Sequence, residues 1–265
     1  MQLSLPLSCE SSLEVVHRRL AGHYGVPEER LRLPPVAQLV LSFIGTRSKG
    51  EQSMAVFEKL FAAYGSWEAV AAANPADLFG LLEPLSFAED KAYRLPLALQ
   101  QIARLRGRLD LAFLADWPVE AAMGWLTRLP GVGPKVAAAV LNFSTLDRRA
   151  LVIDSHHLRV LRRLGLVRRT TTLEGAYPRL ERLTPEDWDS AALERHHTLM
   201  KGHGQQLCRL IRPDCPACPL RDICAYASGI GGRRDEAVIA LLDHAGEGDA
   251  GAVAIMRPDD LHPDR

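Results

Sequence analysis

Alternating apolar and polar stretches, the mark of a half-buried β-strand, are nearly absent from this 265-residue chain. No apolar run approaches the roughly 18 residues of a membrane span. The opening MQLSLPLSCE has neither a basic leader nor a long apolar stretch, so a cytoplasmic protein is expected, nucleoid-associated if bacterial. No internal repeat is visible. Lysine is scarce: of 32 basic residues only Lys49, Lys59, Lys91, Lys135 and Lys201 are lysines. Arginine is the default cation here, and each lysine asks for its own reason.

What is present is helical. Apolar residues recur with a 3.6-residue period over Val36–Gly45, Met54–Tyr64, Trp67–Ala73, Pro75–Leu82, Lys91–Leu105, Val119–Leu126, Lys135–Phe143, His156–Leu164 and Pro185–Gly202. Ser66, Asn74-Pro75 and Thr184-Pro185-Glu186 read as helix starts. The expected class is all-α. With 47% hydrophobic residues the chain can build one large core or two smaller ones. Net charge is zero but uneven: from Asp235 onward two arginines face eight acids, net −6, which leaves +6 before it. A mildly basic body is compatible with a nucleic-acid partner and equally with a solvated surface.

Four of five cysteines fall within CRLIRPDCPACPLRDIC, as Cys208, Cys215, Cys218 and Cys224; Cys9 stands apart. A reduced compartment argues against disulfides. Zinc sites usually present two close pairs of ligands, and here there is one pair. Thiolates staggered along a loop kept extended by Pro213, Pro216 and Pro219 suit the corners of a [4Fe–4S] cluster better than zinc.

Leu126, together with Leu129, Gly131, Gly133 and Ala137 of RLPGVGPKVAAAVL, fits the helix-hairpin-helix pattern. Glycines there permit positive φ and close backbone approach. The N–H groups opening the second helix, those around Gly131, Val132 and Gly133, then bind a phosphate without sequence preference. A plain turn between helices with a glycine cap is the simpler alternative. Lys135 sits in the first turn, where the helix dipole and partial burial disfavour the ammonium, and a neutral amine is a nucleophile. Asp154, in VIDSHHLRV, is either a further site carboxylate or only the N-cap of the next helix.

LPGVGPK followed by VIDSHHLRV resembles the paired motifs of the endonuclease III family of helix-hairpin-helix DNA glycosylases, and the cysteine spacing resembles that family's cluster loop without a gap. The resemblance extends over about residues 36–226 and includes SFAEDKAYRL and RHHTLMKGHGQQLC. It implies two helical domains with a groove between them. The expected arrangement is residues 1–36 as part of a cluster domain, 37–148 as a six-helix barrel, 149–226 as the remainder of the cluster domain and 227–265 as an acidic tail. It further implies a monomeric base-excision enzyme acting on double-stranded DNA with a damaged base or abasic site, with no membrane partner. Lys135 would form the Schiff base, Asp154 would be the general carboxylate and oxidised pyrimidines would be the substrates; a glycosylase for mismatched or alkylated bases and a DNA-binding repair protein without turnover stay open as alternatives. The cluster would be structural, its loop offering Arg209, Arg212 and Arg221 to phosphates.

The sequence departs from the family in VLSFIGTRS. Where the family has a glutamine that fills the hole left by a flipped base, this chain has Ile44, and where an aspartate often follows it has Arg47. Ile44 is expected to fill space without hydrogen bonding, with weak discrimination of the opposite base, and Arg47 to reach phosphate. His156 is open between packing and DNA contact. His196, His197 and His203, and Trp67, Trp117, Trp125 and Trp188, are expected to be structural.

Overall fold

A computed structural model describes residues 12–28 and 31–229; Cys9 and the acidic segment from Asp235 lie outside them. The described residues form α1 (Ser12–Tyr24), α2 (Pro35–Ile44), α3 (Gly50–Tyr64), α4 (Trp67–Ala72), α5 (Pro75–Leu82), α6 (Ala88–Arg106), α7 (Val119–Leu126), α8 (Pro134–Phe143), α9 (Ser155–Leu164), α10 (Leu173–Leu183) and α11 (Ser190–Gln206), with two short 3₁₀ turns. Among them there is no strand, only an isolated parallel bridge between Leu33 and Ser144.

Local chemistry explains most boundaries. The Ser66 hydroxyl accepts from the Ala69 N–H and the Asn74 side chain from the Ala76 N–H, satisfying donors that a helix start leaves orphaned. Thr184-Pro185 does not open a helix. The last long helix begins at Ser190, capped by Asp189, and Arg149 holds the carbonyls of Pro185 and Trp188 in the preceding turn. Two helices escape the periodicity: α1, whose buried stripe is only Leu13, Val16 and Leu20, and α10, which carries Pro178 inside it.

The described residues bury two separate apolar cores. One runs from Val36 to Val152 and is built by α2 to α8, seven helices of which α4 has six residues. The other joins α1 to Ile153 and the helices after it. The change of core falls between Val152 and Ile153, so Asp154 stands at the seam. Arg32 ties the halves together, with the Ser144 carbonyl at 3.4 Å, Asp147 at 3.0 Å and Glu194 at 3.7 Å.

Helices α2 and α8 pack against each other and are buried almost all round; eight of the ten residues of α2 are buried. Along α8 only the ends, Pro134 and Lys135 in the first turn and Phe143 in the last, stay partly accessible. Trp125 is buried, Trp67 and Trp117 pack on the first core and Trp188 on the second, so all four tryptophans are structural.

Candidate functional site

The hairpin is α7, a turn, and α8. Gly131 takes φ +74°, and a Cβ there would lie 2.7 Å from the Phe43 ring of α2, so both the backbone conformation and the close approach require glycine. Gly133 is different. Its φ is −94°, nothing lies within 4 Å of a Cβ built on it, and it is the N-cap of α8 with Pro134 following. It leaves the helix start open to an approaching anion. Val132 is corrected: its side chain is buried and its N–H donates to the Leu129 carbonyl at 3.1 Å, so it braces the turn and presents nothing outward.

Lys135 is half-buried in the first turn of α8, and its charge reaches the His197 imidazole on α11. Asp154 is the N-cap of α9. Its Oδ1 accepts from the His157 N–H at 2.8 Å, and its charge also acts on His197. Burial alone would raise the Asp154 carboxyl; His197, the His157 N–H, and the His157 and His156 rings outweigh it and hold the group below the usual carboxylate range. The charges of the two residues singled out from separate motifs therefore both act on one imidazole.

Behind them is a cluster of buried rings that sequence reading did not assemble. His197 Nδ1 donates to the Val152 carbonyl at 2.8 Å and His157 Nδ1 to the same oxygen at 3.2 Å. A carbonyl only accepts, so both rings carry their proton on Nδ1. His196 stacks on His17 at 5.7 Å and meets His157 at 5.3 Å and Trp188 at 5.0 Å. Burial drives His157 down to about 4 and His197 to about 3, and it lowers His196 as well. All three are neutral near pH 7; His196 and His197, expected to be structural, lie inside this buried cluster. His156 is half-buried, its Nδ1 3.1 Å from Arg159.

Ile44 is also corrected. It is fully buried in the first core, because α2 is enclosed by its neighbours, and it cannot enter DNA; no expectation about opposite-base discrimination rests on it. The surface just beyond it is built by two residues in the left-handed region, Arg47 at φ 54° and Phe87 at φ 59°, with the Arg47 guanidinium 5.0 Å from the centre of the exposed Phe87 ring. Lys91 sets this loop. Its buried ammonium donates to the carbonyls of Ile44 at 2.7 Å and Thr46 at 2.9 Å and to the Ser48 hydroxyl at 3.0 Å. The sequence alone assigned no role to Phe87 or to Lys91, whose type, a lysine inside an apolar helix face, was the signal of its buried contacts.

The four loop cysteines line one small pocket with Val160, Leu164, Leu207 and Leu220. Burial pushes the Cys218 thiol up to about 11, and the charges of Cys208, Cys224 and Cys215 add to the shift. All four sulfurs thus sense one another. Among the described residues no three His, Cys, Asp or Glu side chains converge tightly enough to hold one metal ion. Four mutually coupled thiols spread round one apolar-walled space fit a multinuclear group better than a single ion. Arg163 Nη1 donates to Cys208 Sγ at 3.3 Å and the Leu220 N–H to Cys218 Sγ at 3.4 Å, the N–H···S bonds such a group needs. Arg159 and Arg163, one turn apart on α9, hold the carbonyls of Cys208, Arg209 and Leu210. Arg209, Arg212 and Arg221 are exposed on the same loop.

No protein-family model matches the chain. Endonuclease III of Thermotoga maritima is 29% identical over 201 residues, 76% of this chain and 87% of that protein. Endonuclease III homolog 1, chloroplastic, of Arabidopsis thaliana is 28% identical over 215 residues, and the chain spans 52% of its length. Thymine-DNA glycosylase of Aeropyrum pernix is 27% identical over 224 residues, 81% of this chain and 95% of that one. In fold, the chain matches a solved structure of a trapped endonuclease III–DNA covalent intermediate with a TM-score of 0.68 at 21% identity, over 82% of this chain and 96% of the other. The chain is similar in sequence to endonuclease III over three quarters of its length and has the fold of the solved endonuclease III structures.

Proposed function

We propose that the protein is a base-excision DNA glycosylase with apurinic/apyrimidinic lyase activity that works as a monomer on duplex DNA. The observation that carries this is the placement of Lys135 at the start of the hairpin helix and of Asp154 at the start of α9 on the seam between the two cores, where the charges of both act on His197. Nucleophile, carboxylate and phosphate-binding backbone then share one groove.

The damaged nucleotide is swung out of the stack, at least cost where the lesion already stacks or pairs poorly. The Lys135 nitrogen attacks C1′ of the deoxyribose as the glycosidic bond breaks and the base departs with a proton. Asp154, ionised and fixed by the His157 N–H, stabilises the cationic sugar and moves the proton that ring opening requires. The resulting imine makes the C2′ hydrogen acidic, and its loss expels the 3′ phosphate. Water then hydrolyses the imine, freeing Lys135 and a nicked strand. At an abasic site the same amine condenses with the sugar aldehyde, releasing water.

The exposed Phe87 ring, backed by Arg47, is suited to stack in the gap left by the extruded nucleotide. The hairpin start at Gly133 and the arginines Arg209, Arg212 and Arg221 supply phosphate contacts. A [4Fe–4S] cluster held by Cys208, Cys215, Cys218 and Cys224 would brace the loop carrying those arginines; its chemistry here is structural cross-linking. Oxidised pyrimidines are the leading substrates. A second reading, excision of a mismatched thymine, is favoured by the relative from Aeropyrum pernix.

The test is borohydride reduction during incubation with a duplex carrying one abasic site. A covalent band present for the wild type and absent for Lys135→Ala supports the assignment. A band that persists in Lys135→Ala refutes it, and a panel of lesions separates the two substrate readings.

A further inference from the structure

Lys201 is the lysine that the proposed reaction leaves without a task. Lys49 and Lys59 are exposed, Lys91 is buried on its three oxygens and Lys135 is assigned. Lys201 is half-buried on α11, one turn after His197 and so on the same face of that helix. One turn further, a Cβ on Gly204 would lie 2.9 Å from His156 Cβ and 3.2 Å from its carbonyl oxygen, so α11 presses directly on the first turn of α9 here. Lys201 is therefore rooted between His197, which senses Lys135 and Asp154, and the residue that packs on His156.

Its charge reaches both His156 and His197, while among the described residues its ammonium has no hydrogen-bond or ion-pair partner. The other charged groups around it are committed. Asp154 is capped by the His157 N–H, and Arg159 is spent on the carbonyls of Cys208 and Gly204. A half-buried cation without a counterion, one helical turn from the imidazole on which the charges of Lys135 and Asp154 act, lacks an anion. We propose that Lys201 holds one backbone phosphate of the DNA strand beside the extruded nucleotide, a contact that rests on the DNA reading above. A compact ammonium with three rotatable donors on a flexible stem suits a single phosphate oxygen better than the rigid fork of the arginines used elsewhere.

The test uses a duplex with a tetrahydrofuran abasic analogue, which binds but cannot form an imine, and the full chain as wild type, Lys201→Met and Lys201→Arg. Loss of one phosphate contact lowers the slope of log Kd against log salt by about 0.9 in Lys201→Met, and Lys201→Arg restores it. Neutralising the flanking phosphates one at a time as methylphosphonates identifies the partner. At one position the substitution weakens the wild type and adds nothing in Lys201→Met. An unchanged slope, or equal sensitivity of both proteins at every phosphate, overturns the proposal. Loss of borohydride trapping in Lys201→Met with full trapping in Lys135→Ala makes Lys201 the nucleophile and also overturns it. A wild type that does not bind the abasic duplex sinks the DNA reading itself, and this contact with it.

Discussion

The His157 N–H donates to Oδ1 of Asp154 at 2.8 Å, so the carboxylate proposed for catalysis is also the cap of α9. The two roles separate by substitution. Asparagine caps as well as aspartate but carries no charge. Asp154→Asn is expected to leave thermal stability within about 1 kcal/mol of wild type while lowering single-turnover base release by about 10² to 10⁴-fold. Base release at the wild-type rate from a folded Asp154→Asn protein would reduce Asp154 to a cap.

Acid should unfold the protein through its buried histidines. His157 and His197 ionise near 6.5 when unfolded and at about 4 and about 3 in the fold, so below pH 6.5 the unfolded chain binds protons that the native state refuses. Stability is then constant above that point and falls by about 1.4 kcal/mol per pH unit for each such imidazole as pH drops toward 4. Urea unfolding at pH 8, 6.5, 5 and 4 measures the slope; a flat profile contradicts the burial.

Neither ring nitrogen of His196 has a hydrogen-bond partner among the described residues. Replacing an unsatisfied buried polar ring by an apolar side chain removes that cost. His196→Leu is expected to be neutral or stabilising by about 1 kcal/mol at pH 7, and to flatten the acid slope further. Marked destabilisation would reveal a partner for that ring.

Phe87→Ala removes an exposed ring and should leave the thermal midpoint unchanged while weakening binding to the abasic-analogue duplex by about 1 to 3 kcal/mol. Lys91→Met should weaken binding as well, through the loop it holds, and should also lower stability. Binding unaffected by Phe87→Ala would remove the stacking role.

Gly131→Ala places a methyl 2.7 Å from the buried Phe43 ring at φ +74°. Left-handed strain and overpacking together predict about 2 to 5 kcal/mol of destabilisation. Gly133→Ala, in open space, should fold normally and lose DNA affinity. Equal stability losses in the two variants would mean that the glycines act alike, against the geometry.

Cys218→Ser should yield protein lacking the visible absorbance of an iron–sulfur centre, with the second core loosened. Hydrogen exchange should then rise in α1 and α9 and stay low in α2 and α8, because the cavity wall is made by residues of the second core.

Local chemistry was enough to find most helices, the hairpin, and the lysine, aspartate and cysteines, because periodicity, caps, glycines and ligand spacing are written in short stretches of chain. Ile44 and Val132 show the limit. Both look like surface residues of a motif, and both are buried in the first core, Ile44 because α2 is enclosed by neighbours distant in sequence. The same holds for the seam at Val152 and Ile153, for the meeting of His17, His157, His196 and His197, and for the lysine at 201 beside His156. Each depends on which helix faces of distant segments come together, and burial, with the charge states it sets, belongs to that packing.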